Sequence, residues 1–319
     1  GGGSRIAEGG RRKRPLAWTR PASSQPPDGA VEGRAKMAGC GSGCCRVVDF
    51  GWPLDEDTPN WPTVCAVRRR VLRSPETTAF PLSRGKQAFE LNGGSGTHAD
   101  APAHFIPRIP GGRTIDQLRP EELAGVPLAI VDVAAACAAD HDHAVAVAEL
   151  EADEEAHGPI ARGSLVCVRT GFSERYRAAV DERRRVRGAR AGATHAGEDD
   201  VGTGRDPWTV YHNAGRADDV HPEYCLPTMH FPGLSPAAAA WLVETRSIVG
   251  LGVDTLSPDP GASTGFGVHH AVLGADRYIL ENLNLDGLPA RGATAVVAPL
   301  ALAGAPEAPA RVFAWVPAA

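Results

Sequence analysis

The run from Gly96 to Phe105, Gly-Thr-His-Ala-Asp-Ala-Pro-Ala-His-Phe, is the segment that most narrowly limits how this chain can fold. In an extended strand alternate residues point to the same side, so His98 and Asp100 project from one face. Pro102 ends regular strand pairing, after which His104 approaches from a separate direction. Histidine and aspartate rarely occur together on a segment of small apolar residues unless they have a functional role. The pattern therefore predicts a metal centre built on a short strand.

The same run resembles the signature of a known family. Gly-Thr-His-x-Asp-x-Pro-x-His-Phe is similar to the motif of the metal-dependent cyclase family, whose members include bacterial kynurenine formamidases and isatin hydrolases. Four later segments are similar to further conserved blocks of that family and occur in the same order: Phe231–Ser235, Gly250–Asp259, His269–Ala271 and Ile279–Leu283. The resemblance extends from about Val47 to Val316. It implies an α/β fold, a swivelling β/β/α-type domain with mixed sheets, and association into a homo-oligomer.

The resemblance also implies a set of metal ligands and a proton carrier. The family's ligand positions match His98, Asp100, His269 and Glu281, and its catalytic histidine matches His104. The first histidine of the family motif falls on Gly94, which has no side chain, so a two-metal centre lacks one ligand. Two imidazoles and two carboxylates suffice for one zinc or manganese ion, and one or two ions both remain open. Candidate replacements for the missing ligand are Glu90, Asn92 and Ser95.

These residues favour hydrolysis of an amide C–N bond in a small molecule. A metal ion lowers the pKa of a bound water, and an imidazole such as His104 can take a proton from that water and pass it to a leaving amine. The resemblance implies an arylformamidase-like enzyme of tryptophan catabolism, with N-formylkynurenine as the first substrate to test. Two alternatives remain: a cyclic amide hydrolase of the isatin type, and a metal- or small-molecule-binding protein whose catalysis lapsed when glycine came to occupy position 94.

Two aromatic residues are candidates for binding the substrate. Trp61 stands where members of the family carry an aromatic residue in the pocket wall, and its flat face suits an anthranilate-like ring. Packing in the core is the other interpretation of Trp61. Phe266 lies between two glycines just before His269 and is the second candidate.

Charge and cysteine content limit the possible partners and the compartment. The formal net charge is −5 and the pI is about 6.1, which gives no overall basic field for nucleic acid. No apolar run approaches the roughly 20 residues needed to cross a bilayer. The 7 cysteines show no paired spacing typical of a zinc site, which favours thiols in a reducing compartment, most simply the cytoplasm.

The chain divides into two parts by composition. Residues 1–46 are dominated by Gly, Arg, Pro and Ser, which predicts a disordered or leader segment; an organellar transit peptide is an alternative. Residues 47–319 form the predicted cyclase-like metal hydrolase domain. Within this domain, residues 175–206 are predicted to be a helix end that runs into a long solvent-facing loop or insertion, with Arg183, Arg184 and Arg185 as solvated charges.

Short runs of β-branched residues predict the main strands, and one capping signal predicts a helix. Strands are predicted at 128–133, 164–169, 248–253, 278–283 and 310–316. Ser235 followed by Pro236 predicts the start of a helix that continues to about Thr245.

Overall fold

The structure is a computed structural model that describes residues 45–61, 66–73, 86–105, 111–191, 211 and 228–318. The predictions made for residues 1–46 therefore fall almost entirely outside the described residues. The first strand begins at Cys45, two positions before the predicted start of the domain.

Twelve strands are present in the described part of the chain. In chain order they are β1 (Cys45–Asp49), β2 (Arg68–Arg73), β3 (Lys86–Glu90), β4 (His98–Asp100), β5 (Ala124–Asp132), β6 (Ala144–Val145), β7 (Leu165–Arg169), β8 (Gly233–Leu234), β9 (Gly250–Val253), β10 (Tyr278–Glu281), β11 (Ala293–Pro299) and β12 (Glu307–Pro317). Strands β2 and β3 pair with each other, as do β6 and β8, and the others form one sheet.

The main sheet closes on itself. Its strand order is β1-β12-β11-β5-β7-β9-β10-β4, and β4 pairs on its other edge with β12. Closure is possible because β12 is long: its first residues pair with β4 and its last residues pair with β1. Neighbours β5, β7, β9 and β10 run parallel, whereas β4, β11 and β12 form antiparallel pairs. The result is a mixed barrel in which the short strand β4 has partners on both edges.

Six α-helices accompany the sheet in the described residues. They are α1 (Pro120–Leu123), α2 (Ala134–Ala139), α3 (Val147–His157), α4 (Ser173–Ala191), α5 (Pro236–Arg246) and α6 (Gly267–Gly274). Helix α5 begins as predicted, since the Ser235 hydroxyl accepts the backbone N–H of Ala238 and Pro236 occupies the first turn. None of the described helices has the length and apolar character that crossing a membrane requires.

The two faces of the sheet bury different clusters. Along β5, Leu128 and Ile130 belong to a core shared with β11 and β12, whereas Ala129 and Val131 face a second core shared with helices α3, α5 and α6. Parallel strands covered on both faces are apolar on both faces. This is why the strand signals at 128–133 and 164–169 were continuous apolar runs without alternation.

The predicted α/β class with a mixed sheet is confirmed, and the predicted strands correspond to β5, β7, β9, β10 and β12.

One local prediction is wrong in part: helix α4 continues to Ala191, so the segment from Arg175 to Ala191 is not a loop. Its arginines are also not simply solvated, because Arg184 and Arg187 pair with Asp55 and Asp57. Residues 192–206 lie outside the described residues.

Candidate metal centre

The closed sheet places four ionisable residues on three adjacent strands. In β4, His98 and Asp100 lie two positions apart. The register sets Glu281 of β10 opposite His98, and Glu307 of β12 opposite Asp100. Cross-strand partners in antiparallel pairs are close neighbours, so both carboxylates are brought towards the β4 residues by backbone pairing alone.

The four ligand positions identified from the sequence lie beside one another, with each imidazole next to both carboxylates. The Nε2 atom of His98 lies 3.5 Å from Oδ1 of Asp100 and 3.3 Å from Oε2 of Glu281. The Nε2 atom of His269, on helix α6, lies 3.4 Å from Oε1 of Glu281 and 3.8 Å from Oδ2 of Asp100. All four residues are buried. Two imidazole nitrogens and two carboxylates thus face one another in a space shielded from solvent.

Both imidazoles are held by their other ring nitrogen. Nδ1 of His269 lies 2.7 Å from Asp259, whose carboxylate also accepts the backbone N–H groups of Val268 and His269. Nδ1 of His98 lies 2.8 Å from the carbonyl oxygen of Gly96. Histidines that bind metals are typically oriented in this way, with the free nitrogen aimed at the ion. Asp259 closes a block that resembled the family, but no local pattern singled out its role.

His104 lies at the edge of this cluster on a short 3-10 turn, Pro102–Phe105. Its side chain is 28% exposed, and Nδ1 is 3.4 Å from Oε2 of Glu307. Ligand atoms of His104, Asp100 and His269 lie within 4.8 Å of one another. His104 is therefore the member of the cluster that contacts both the buried acidic centre and the solvent side.

Glu307 is the residue that sequence reasoning missed. The three candidates for the vacant ligand position are placed differently: Glu90 is exposed, Asn92 lines the cavity beside the cluster, and the Ser95 hydroxyl is buried with no hydrogen-bond partner among the described residues. Glu307 approaches because β12 pairs with β4. That pairing joins residues more than 200 positions apart, and no local signal predicts it.

The charged groups of the cluster strongly shift one another's pKa values. Burial alone would lower the pKa of His98, but Asp100 and Glu281 outweigh it and raise that pKa to about 10. Burial likewise opposes the charge on His269, yet Asp100, Asp259 and Glu281 hold its pKa well above the ordinary value. For Asp100, burial favours the neutral acid, but His104 and His98 bring the pKa well below its usual range. The centre thus attracts positive charge, whether protons or a cation.

The residues fit a divalent metal ion. Imidazole nitrogens and carboxylate oxygens together are the donors that zinc and manganese accept. Both oxygens of Asp100 are buried, and neither accepts a hydrogen bond from the described residues. A buried carboxylate without donors is costly, and an ion between Asp100 and its neighbours would satisfy it.

A cavity of about 270 Å³ opens beside the cluster. Its wall includes His104, Phe105, Phe266 and Trp61. The rings of Phe105 and Phe266 meet edge to face with centroids 5.1 Å apart, and Phe105 stacks on His269 at 4.6 Å. Both residues predicted to bind substrate therefore line the cavity that is also lined by His98, His269 and Glu281.

Comparison with known proteins gives a consistent set of relatives. Residues 48–260 match a family model described as putative cyclase. An isatin hydrolase from Roseibium aggregatum is 30% identical over 232 residues, which are 70% of this chain and 72% of that protein. The similarity to a kynurenine formamidase from Bordetella petrii is more local: 39% identity over 86 residues, 27% of this chain and 41% of the relative. The solved structure of isatin hydrolase A from Ralstonia solanacearum superposes with a TM-score of 0.67 and 28% identity, covering 85% of this chain and 92% of that one.

Proposed function

Because the chain belongs to the putative cyclase family, we propose that it is a metal-dependent hydrolase of amide C–N bonds that acts on an aromatic cyclic amide of the isatin type. The observation that carries the proposal is the convergence of His98, Asp100, His269 and Glu281 beside an aromatic cavity with His104 at its edge. The similarity to isatin hydrolases over most of both chains supports the substrate class.

The proposed ligands are His98, Asp100, His269 and Glu281. When bound there, a divalent ion supplies Lewis-acid polarisation of the substrate carbonyl and acidifies a water molecule. Asp259 and the carbonyl of Gly96 keep the two ligand imidazoles in orientation through their Nδ1 atoms.

His104 is the proposed general base and acid. Its partly exposed imidazole lines the cavity, so it can take a proton from the attacking water and deliver it to the leaving nitrogen. Of the three histidines that line the cavity, His98 and His269 are buried and His104 is partly exposed. His104 can therefore exchange protons with solvent between turnovers. No covalent intermediate with the protein is required.

The aromatic wall is the proposed site for the ring of the substrate. Phe105 and Phe266 present an edge-to-face pair next to His269, and Trp61 lines the same cavity. Aromatic side chains bind flat rings by stacking and by edge contacts while excluding water. A fused aromatic lactam would place its ring against this wall and its amide carbonyl towards the ligands.

A second candidate substrate class is the linear aryl formamide, with N-formylkynurenine as its first representative. The local similarity to kynurenine formamidases favours it. Ring opening of a lactam and removal of a formyl group use the same ligands and the same proton carrier, so the two classes differ in the fit of the substrate to the cavity.

Substrate comparison tests the proposal. The chain loaded with zinc or manganese is assayed for loss of isatin absorbance and for formate release from N-formylkynurenine. We expect a higher kcat/KM for isatin, and we expect His269→Gln to abolish turnover. The control is His157→Gln, an exposed histidine on α3 that should behave as the parent. Absence of turnover of both substrates by the metal-loaded chain would refute the proposal.

A further inference from the structure

Two consecutive glycines face the side chain of Glu307. A Cβ atom added at Gly93 would lie 2.5 Å from Cγ of Glu307 and 2.7 Å from its carbonyl oxygen. A Cβ atom added at Gly94 would lie 3.1 Å from Oε2 of Glu307 and 3.5 Å from Nε2 of His98. Glu307 therefore extends into the space beside His98 that a side chain at position 94 would enter.

The carboxylate of Glu307 reaches the buried part of the cluster. Ligand atoms of Glu307, His98 and Asp100 all lie within 4.8 Å of one another. Its position is fixed by the backbone, because Glu307 pairs with Asp100 in the β12–β4 ladder. The side chain is 23% exposed, so most of it lies within the protein. Those distances are short enough for one ion to contact all three residues.

We propose that Glu307 is a metal ligand that takes the place of the side chain missing at Gly94. The inference rests on the proposed metal centre and adds a fifth donor to it. Position 94 lies in the segment that precedes β4, whereas Glu307 belongs to β12, so the donor comes from a strand that pairs with β4. The small residues at 93 and 94 are what leave room for it.

The exchange has a chemical consequence. An oxygen donor replaces the imidazole that the family motif has at this position, so the set contains three carboxylates and two imidazoles. Carboxylate donors suit harder ions, and the replacement shifts the preference of the site from zinc towards manganese.

Metal binding by four proteins tests the inference without a catalytic assay. The metal-free parent, Glu307→Ala, Glu307→Gln and the control Glu90→Gln are titrated with manganese and zinc against a chromophoric chelator, and bound metal is measured by elemental analysis. We expect both Glu307 variants to bind manganese at least about 10-fold more weakly than the parent, because the loss of a direct ligand costs no less than the loss of a residue that orients one. Glu90→Gln removes the same charge from an exposed position three residues before Gly93 and should leave the affinity unchanged.

A rescue variant separates ligation from a general effect on folding. Gly94→His combined with Glu307→Ala returns an imidazole to position 94 and removes the carboxylate from its path. We expect this double variant to recover zinc affinity relative to Glu307→Ala alone, with circular dichroism matching the parent in every variant.

Two different failures are distinguishable. A parent chain that binds one or more ions while both Glu307 variants bind them equally well overturns the role of Glu307 and leaves the proposed function standing; the 3.4 Å approach to His104 would then be its only role in the cluster. A parent chain that binds neither metal overturns the metal centre and this inference together.

Discussion

His104 differs from the other histidines of the site in exposure and in contacts, and the proposed roles follow that difference. His98 and His269 are buried and fixed through Nδ1, whereas His104 is partly exposed and contacts Glu307. The orientation of an imidazole by a carboxylate or a carbonyl is typical of ligands. Partial exposure beside a cavity is typical of groups that exchange protons with substrate and solvent.

Replacement of His104 by Gln should separate chemistry from metal binding. We expect kcat for isatin to fall by about 100- to 10,000-fold, which is the usual contribution of a general acid or base. The metal content should equal that of the parent, measured by elemental analysis on the same preparation. Loss of the metal together with activity would contradict the assignment, because it would place His104 among the ligands with Asp100 and His269.

Metal affinity should rise with pH. In the metal-free chain the carboxylates around His98 raise its pKa to about 10, so below that pH the imidazole carries a proton that an entering ion must displace. For each proton released, affinity increases by about tenfold per pH unit until the pH reaches the pKa. Chelator competition at several pH values between about 6.5 and 8.5 measures the slope. A flat profile would contradict the described charge state of His98.

Different members of the site were predictable to different degrees. His98, Asp100 and His104 stand within seven positions, so alternation along a strand and the break at Pro102 were enough to group them. His269 and Glu281 required the resemblance to a family. Asp259 and Glu307 act through contacts that depend on tertiary packing, and neither helix periodicity nor strand alternation carries that information.

At the scale of elements, glycines allow the central strands to pack. A Cβ atom at Gly250 of β9 would lie 2.3 Å from the ring of Tyr278 on the neighbouring strand β10. That ring is buried, and its hydroxyl donates to the carbonyl of Glu122. The ring of Tyr278 occupies the space that a side chain at position 250 would need. This packing is a structural reason for a glycine at the start of the Gly250–Asp259 block.

Gly250→Ala should destabilise the protein, while Gly274→Ala should not. We expect the first change to lower the free energy of unfolding by about 1 to 3 kcal/mol, because the added methyl group forces a buried ring to move. Gly274 ends helix α6, and a Cβ atom there meets no atom within 4 Å, so this matched change should be neutral or slightly stabilising. Urea unfolding of the metal-free variants measures both. Equal stability of the two would contradict the packing described around Tyr278.

Helix α4 shows why the extent of one element was predicted incorrectly. The arginine-rich segment with its following glycines resembled a solvated loop, yet arginine is a good helix former and the helix continues to Ala191. Ion pairs with a distant acidic turn accompany it: Arg184 with Asp55, and Arg187 with the buried Asp57. The acidic partners lie about 130 positions earlier in the chain. Charge counting within a short window does not detect such pairing.

In the molecule as a whole, the closed barrel is what brings the residues of the candidate site together. Strand β4 carries His98 and Asp100, and its partners β10 and β12 carry Glu281 and Glu307. The strand signals predicted most of the parallel part of the sheet, because each strand is a continuous apolar run. They did not predict that β12 would complete the barrel. Homo-oligomer formation and the nature of residues 1–46 stay predictions from the sequence.

A bound ion should stabilise the entire domain. The proposed ligands come from β4, α6 and β10, so an ion joins elements that are far apart in the chain. A ligand present at 100 times its dissociation constant adds about 2.7 kcal/mol to the free energy of unfolding. We expect a chelator to lower the unfolding temperature of the parent. Asp100→Asn should show no shift on chelation, and an identical shift in both proteins would argue against ion binding at this cluster.

Stepwise addition of metal to the metal-free chain tests whether the His98–Asp100–His269–Glu281 cluster is a catalytic metal centre. The metal-free chain receives increasing amounts of manganese or zinc, and bound metal and initial rate are measured on the same samples. We expect no hydrolysis without metal, and then a rate that rises in proportion to bound metal and levels off when the site is full. A fully loaded chain that hydrolyses neither isatin nor N-formylkynurenine, or a rate independent of bound metal, would contradict this expectation.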